Sequence, residues 1–373
     1  MARMTPDWER CFELLPKVSR TFALSISLLK PALRQAVCVA YLLCRVVDTL
    51  EDASNLTVER KAQRIQELRA LIAGRVMPEW HREIVQELQG GAAAHDLELL
   101  ASLPEVLAAL SSLPLFDRQG IGRCFDEMAI GMVEMQEVIE AHRTDVRQLP
   151  TMESLRRYCH YVAGTVGYLL TELFYLHSEA IEKSRYFELL NDAESFGQAL
   201  QLINILKDVA EDHAKGWCFL PREVLAARNL VPGRLFDEGQ RVAAIEALAP
   251  LVAEVIAQTA RSWRYLTLIP VEEREIRLFL GYSLFFGIQT IRRALEDPDL
   301  MLDPERKLKI SRLEVGVILA EVTQRIDDPE RLEKYQRSLW QAGGDRLDER
   351  WPEQVRTAVA AACGSTLSAP YST

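Results

Sequence analysis

The chain has 373 residues, 49% hydrophobic and 26% charged, an ordinary globular balance with ample material for a core. A formal net charge of −10, with no block of lysine and arginine, argues against a nucleic-acid partner. An anionic substrate would then need metal ions or a local basic cluster as intermediary.

Seven cysteines, with no C-x-x-C pair and several inside apolar helical runs, give no disulfide framework and point to a reducing, cytoplasmic setting. The opening stretch MARMTPDWERCFELL lacks the apolar core of a signal peptide. No segment reaches about eighteen uninterrupted apolar residues, so no transmembrane anchor is expected.

Along the chain, one helical pattern follows another. The intervals Pro31 to Pro78 and Pro150 to Pro221 contain no proline, and apolar residues recur there every three or four positions among Leu, Ala, Glu, Arg and Gln. Strand-like alternation is nearly absent. Breaks fall at 89–95, 111–120, 213–221, 229–233 and 296–305. There is no fixed-period repeat, no glycine-rich dinucleotide turn and no phosphate loop. The expectation is an all-α chain, one large helical domain over 1–345 around a central cavity, with 346–373 a loosely ordered tail.

Chemistry concentrates in two acidic stretches. In YLLCRVVDTLED, Asp48 and Asp52 share a helix face at i and i+4, with Glu51 beside them. Taken alone, this is a helix end reaching solvent or a set of carboxylates holding something positive. In QLINILKDVAED, Asn204, Asp208 and Asp212 form one stripe over two turns, flanked by Gln201 and Glu211, with Leu202, Ile205, Leu206 and Val209 opposite. Two matching acidic stripes, each on a helix apolar enough for a core, suit diphosphate ionisation. Mg²⁺ takes one or two carboxylates and fills its shell with water and phosphate oxygens. Bound there, it would neutralise the charge on a departing diphosphate.

With both stripes in hand, the chain resembles the squalene/phytoene synthase family, and its squalene branch in particular. SRTF (19–22), YLLCRVVDTLED (41–52), YCHYVAGTVG (158–167), QLINILKDVAED (201–212) and FLP (219–221) stand in the family's order and approximate spacing. The resemblance covers roughly residues 10 to 325 and implies a class I isoprenoid synthase fold. It implies Mg²⁺ ligands at Asp48, Glu51, Asp52, Asn204, Asp208 and Asp212, and a diphosphate end lined by Arg20, Tyr41, Arg45 and Gln201. Phe22 would lie beside a covering segment, and Tyr161 would assist proton transfer or leaving-group departure. The implied reaction is head-to-head condensation of two farnesyl diphosphates through presqualene diphosphate to squalene, with NADPH held by Asn204, Lys309 and Arg312. Peripheral contact with a membrane and a monomer or weak dimer are further expectations.

Some positions depart from the family's pattern. Trp217 stands where a basic residue is expected, Lys207 replaces an arginine, and Ser311 replaces the arginine of a Lys-Ile-Arg segment. These keep an alternative ending open: dehydrosqualene, hydroxysqualene, presqualene diphosphate, phytoene or another ionisation-driven product. His160 reads as structural, because no second His or Cys stands at metal-ligand spacing. The aromatics of YSLFFG (282–287) read as packing or as cation-facing rings. A non-catalytic helical scaffold is the reading from a different class.

Overall fold

A computed structural model describes residues 7–143 and 145–364, with Arg20 described by its backbone alone. The first half runs α1 (Trp8–Val18), α2 (Arg20–Ser27), α3 (Pro31–Asp52), α4 (Val58–Ile72), α5 (Trp80–Glu87), α6 (Ala94–Ala101), α7 (Leu103–Ser112) and α8 (Leu115–Ala141). After β1 (Arg147–Gln148) come α9 (Met152–Cys159), α10 (Thr165–Leu176), α11 (Lys183–Ala214), β2 (Trp217–Cys218) and α12 (Arg222–Ala226). The described chain closes with α13 (Arg241–Leu268), α14 (Arg274–Glu296), α15 (Arg312–Arg325), α16 (Pro329–Asp345) and α17 (Glu353–Gly364). The chain is all-α, as expected, and divides into two compact units: 7–137 with 168–186, and 138–167 with 187–364.

In the first unit α1, α3, α6 and α7 pack on one another. Pro31 opens α3 at a first-turn position, where its missing N–H costs nothing and its fixed φ suits the helix. From Ala36 to Ala40 every residue of α3 is buried, so this helix is a core element over its middle and has no solvent face there. Its last turn carries Asp48, Glu51 and Asp52. The link between α1 and α2 is Ser19, whose side chain accepts from the Phe22 N–H at 3.2 Å and caps α2.

In the second unit α13 and α14 form the centre, with α16 and α17 packed against them. Arg277 is buried, and its hydrogen bonds go to backbone carbonyls. It donates to Ile326 O (3.0 Å) and Ile269 O (2.7 Å), so one guanidinium ties together the chain at the C-terminal ends of α13 and α15. Burial lowers its pKa from the usual arginine value. The expectation of a loosely ordered tail over 346–373 does not hold for 351–364: Trp351, Val355, Val359 and Ala362 are buried, and α17 lies on α13 and α16. The apolar spacing of Val355, Val359 and Ala362 is what seats it. Residues 365–373 lie outside the described residues.

One helix region, Glu238–Leu268, is long and apolar enough to cross a membrane by length and composition, although charged residues interrupt it. Within it α13 buries Leu248, Leu251, Val252, Val255 and Leu266, which is the behaviour of a core helix.

Two features of the second unit set up the chemistry. Between α9 and α10 the chain makes a π turn at His160–Gly164, a local widening that often marks functional positions. Here α11 approaches so closely that a Cβ on Gly167 would meet Ala193 O at 2.0 Å, and one on Gly197 would meet Ala163 O at 2.1 Å. Only glycine permits that approach. Then Gly216, with φ +79°, turns the chain out of α11 into β2. There Arg147 pairs with Trp217 and Gln148 with Cys218 in a parallel ladder.

Candidate active site

The expected site residues fall into two sets, one in each unit. In the first unit α2 and α3 bring Phe22 and Tyr41 together, ring centroids 5.6 Å apart. Burial raises the Tyr41 pKa, and a hydrogen bond with Ser19 works against that rise. The SRTF motif thus acts as a joint: its serine caps α2 and meets Tyr41, and its phenylalanine packs on the same ring. The Arg20 side chain lies outside the described residues.

One turn further along α3, Arg45 forms a two-point fork with Asp96 of α6, Nε to Oδ1 at 2.9 Å and Nη2 to Oδ2 at 3.0 Å. Asp96 is buried. The guanidinium expected to meet phosphate is therefore oriented by a carboxylate that no sequence motif contains. A planar fork retains further N–H donors after such a pairing.

Asp48 is half-buried, and its pKa is pushed up to about 7 by burial and then by the charge of Asp52; Arg45 pulls the other way. Asp52 is exposed. Glu51 corrects the expectation. Its carboxylate is buried and accepts from Gln136 Nε2 at 3.3 Å, and its backbone carbonyl accepts from the buried Lys61 ammonium. Burial, with Asp52 and Asp48 adding to it, pushes Glu51 up to about 8. It belongs to the packing behind the stripe rather than to the stripe itself, because i+3 from Asp48 turns it toward α8 and α4.

In the second unit α11 carries Gln201, Asn204, Asp208 and Asp212, all at least partly exposed. Lys207 reaches both Asn204 Oδ1 and Asp208 Oδ2 at 3.3 Å. The replacement of arginine by lysine thus leaves a cation inside the stripe. Glu211 pairs with Lys307. The π turn presents Tyr161, whose phenol oxygen accepts from Arg157 Nε at 3.3 Å. His160 is structural, as expected: its Nδ1 lies 2.9 Å from Glu194 Oε1, which also accepts from Gln198 at 2.6 Å.

The departures at 217 and 311 take on physical content. Trp217 stacks on Phe219 (5.5 Å, 9° between planes), and the Arg147 guanidinium lies 5.2 Å over the Trp217 ring. The cation that the chain does not carry at 217 is brought beside it from β1. The Arg147 Nε is buried without a hydrogen-bond acceptor. Ser311 is the N-cap of α15, in a reciprocal capping box with Glu314. Lys309 and Arg312 flank it, exposed and with no ion pair among the described residues. The YSLFFG aromatics are packing: Tyr282 bonds Thr323 at 2.7 Å and Phe285 stacks on Tyr335 at 5.2 Å.

Asp48 and Asp52 lie at the end of α3, and Asp212 lies in the last turn of α11, with Asp208 and Asn204 one and two turns before it. The end of α3 has no basic residue, and the end of α11 has His213 alone. A helix C-terminus is the negative end of its dipole, so carboxylates there are locally unfavourable. Among the described residues no group of three His, Cys, Asp or Glu stands ready as a complete metal cage. Mg²⁺ does not need one: it takes one or two carboxylates and keeps water and phosphate oxygens for the rest. The hard-oxygen donors Asp48 with Asp52, and Asp208 and Asp212 with Asn204, fit that ion.

Residues 15–314 match the family described as squalene/phytoene synthase, and the chain belongs to it. It is 28% identical over 322 residues to the squalene synthase ERG9 of Gibberella zeae, covering 86% of this chain and 65% of that one. To the squalene synthase of Schizosaccharomyces pombe it is 28% identical over 304 residues, 78% of this chain and 60% of the relative. The chain thus spans somewhat under two thirds of the length of these relatives. A solved structure of TcSQS with the ligand BPH1237 superposes with a TM-score of 0.77 at 25% identity, over 95% of this chain and 97% of that one.

Proposed function

We propose that this protein condenses two farnesyl diphosphates head to head, through presqualene diphosphate, to squalene. The observation that carries the reading is two sets of hard-oxygen donors on helix faces, with Asp48 and Asp52 at the negative end of α3 and Asp212 at that of α11, one turn after Asp208. Such a cost is sustained where a cation and a diphosphate complete the charge balance. Bound Mg²⁺ would supply Lewis-acid neutralisation of the leaving diphosphate, and NADPH would supply the hydride that ends the sequence.

The chain's own residues have distinct tasks. Asp48 and Asp52 would hold Mg²⁺ by oxygen donors in the first unit, and Asp208 and Asp212 with Asn204 would do so in the second. Arg45, fixed by Asp96, points its remaining N–H groups at phosphate oxygen. Tyr161 accepts from Arg157 and so uses its own O–H as donor toward a departing oxygen. Phe22 and Tyr41 offer aromatic surface to allylic chains and cations. Lys309 and Arg312 contact NADPH phosphate, and Arg147 on Trp217 is a further anion contact.

A second reading keeps the fold and changes the ending. It is favoured by Ser311, which serves as a helix cap and leaves one fewer arginine for a nucleotide phosphate. Product analysis by gas chromatography, from farnesyl diphosphate with Mg²⁺ and increasing NADPH, separates the two. Squalene rising with NADPH is expected. Dehydrosqualene, hydroxysqualene or presqualene diphosphate insensitive to NADPH would move the protein to the second reading. Arg147→Met is expected to raise the half-saturating concentration of substrate or NADPH about tenfold, the loss of one charge-assisted bond. An unchanged value for both would remove Arg147 from the site.

A further inference from the structure

The first unit holds a groove of about 780 Å³ that none of the expected site residues lines. Its walls come from Leu71 at the end of α4, Val76 and Met77 of the following loop, Trp80 of α5, and Leu103 and Leu107 of α7. Arg75, His81 and Arg118 also line it, and no carboxylate does.

In a chain of net charge −10 this is an unusual local balance. Of the acids nearest in sequence, Glu79 pairs with Arg82 at 2.9 Å, Glu83 with Arg64 at 3.7 Å and buried Asp117 with His177 at 2.9 Å, while Glu105 is not among the lining residues and keeps Oε2 buried. Arg75 makes no ion pair among the described residues, and Arg118 gives one N–H to Ser111 O at 3.4 Å. Beside these cations stand apolar side chains that nothing covers. Val76 is 61% exposed, and Leu115 and Phe116, in the turn of α8 just before Arg118, are 54% and 64% exposed.

We propose that this face docks on an anionic phospholipid surface. Val76, Leu115 and Phe116 enter the acyl boundary, the groove accommodates an acyl chain, and Arg75 and Arg118 meet lipid phosphates. Apolar side chains beside basic ones are the combination that holds a protein in the interfacial plane. Charge selects this occupant. Much of the net negative chain is repelled by anionic lipid, whereas this patch presents two arginines and no lining carboxylate. A second copy of the chain is a poorer fit, because self-pairing of the patch sets Arg75 and Arg118 against themselves with no lining carboxylate to answer them. The inference is independent of the coupling reaction.

The test is flotation of the full chain with phosphatidylcholine vesicles, with and without phosphatidylglycerol, alongside sedimentation velocity. Binding is expected with phosphatidylglycerol and is weakened by salt. Val76→Asp with Phe116→Asp is expected to lower the partition at least tenfold, and Arg75→Glu with Arg118→Glu to remove the preference for the anionic lipid. Because all four side chains are exposed, circular dichroism and melting should match the parent. Equal vesicle binding by parent and both variants would overturn the proposal, as would no vesicle binding by the parent. A dimer abolished by the apolar pair, without vesicle binding, would assign the face to a second copy instead.

Discussion

At the end of α3, Asp48 and Glu51 are crowded by burial and by Asp52, with values pushed up to about 7 and 8. In the second unit three acids near the site have a cation close by: Asp208 has Lys207, Glu211 has Lys307, and Glu314 has Arg293. The same i, i+4 spacing therefore produces two electrostatic settings. On α3 burial and like charge resist ionisation of the carboxyls, so an added cation there would bind with release of protons. On α11 the charges are partly answered by flexible ammonium groups, which an incoming ion can displace. Spacing fixes which carboxylates share a face, and neighbours distant in sequence fix what each one experiences.

The largest expected effect comes from neutralising one aspartate in each set. Asp48→Asn and Asp208→Asn should each cut turnover of farnesyl diphosphate by roughly a thousandfold while circular dichroism stays that of the parent, since several kcal/mol of leaving-group stabilisation depends on the metal. If the crowding on α3 matters, Asp48→Asn should also raise the melting temperature in EDTA, and Asp208→Asn should not. Full activity in excess EDTA would sink the assignment of both sets.

Next in size is the difference between the two cations beside the acids. Arg45→Ala strands the buried Asp96 and should cost about 3 kcal/mol of stability, the low end for breaking a buried pair because Arg45 itself is partly exposed. Lys207→Ala removes a solvent-reached contact and should cost about 0–1 kcal/mol. Urea unfolding measures both. Equal costs would show that the two regions are not different in the way described.

How far the sequence foretold these settings differs by residue. The helices, the Asp48/Asp52 and Asn204/Asp208/Asp212 faces and the structural role of His160 were legible, because helical periodicity is a local property. The Asp96 partner of Arg45 was not: it lies 51 residues away and carries no signal of its own. The inward turn of Glu51 was not legible, because its partner Gln136 lies 85 residues away and the ligand role came only from the family resemblance. The β1–β2 ladder was invisible, as two residues give no alternation to detect, and with it the stacking of Arg147 on Trp217. The Ser311 cap could have been found. S-R-L-E is a capping-box pattern, and comparison with an expected arginine hid it. The α17 spacing was likewise present in VRTAVAAA, but the short helix was overlooked beside the polar residues that follow it.

The last test takes the well-answered side of the comparison at Glu314. Burial pushes this carboxyl upward, but hydrogen bonds from Ser311 and Gln289 and the charge of Arg293 outweigh it and hold it at about 2, below the ordinary 4.5. A carboxyl lowered on folding contributes stability that is fully present above its unfolded value and is lost as pH falls through its folded one. The window is therefore about pH 4.5 down to about 2. Glu314→Gln keeps an acceptor for the capping box but cannot ionise. The parent should melt higher than this variant at neutral pH, and the gap should narrow through that window and close near its acid end. The variant serves as its own control for every other titrating group, so the difference between the two melting curves reports this carboxyl alone. A gap that stays constant from neutral to acid pH would mean that Glu314 is held by its hydrogen bonds without regard to charge, and that Arg293 adds nothing to them.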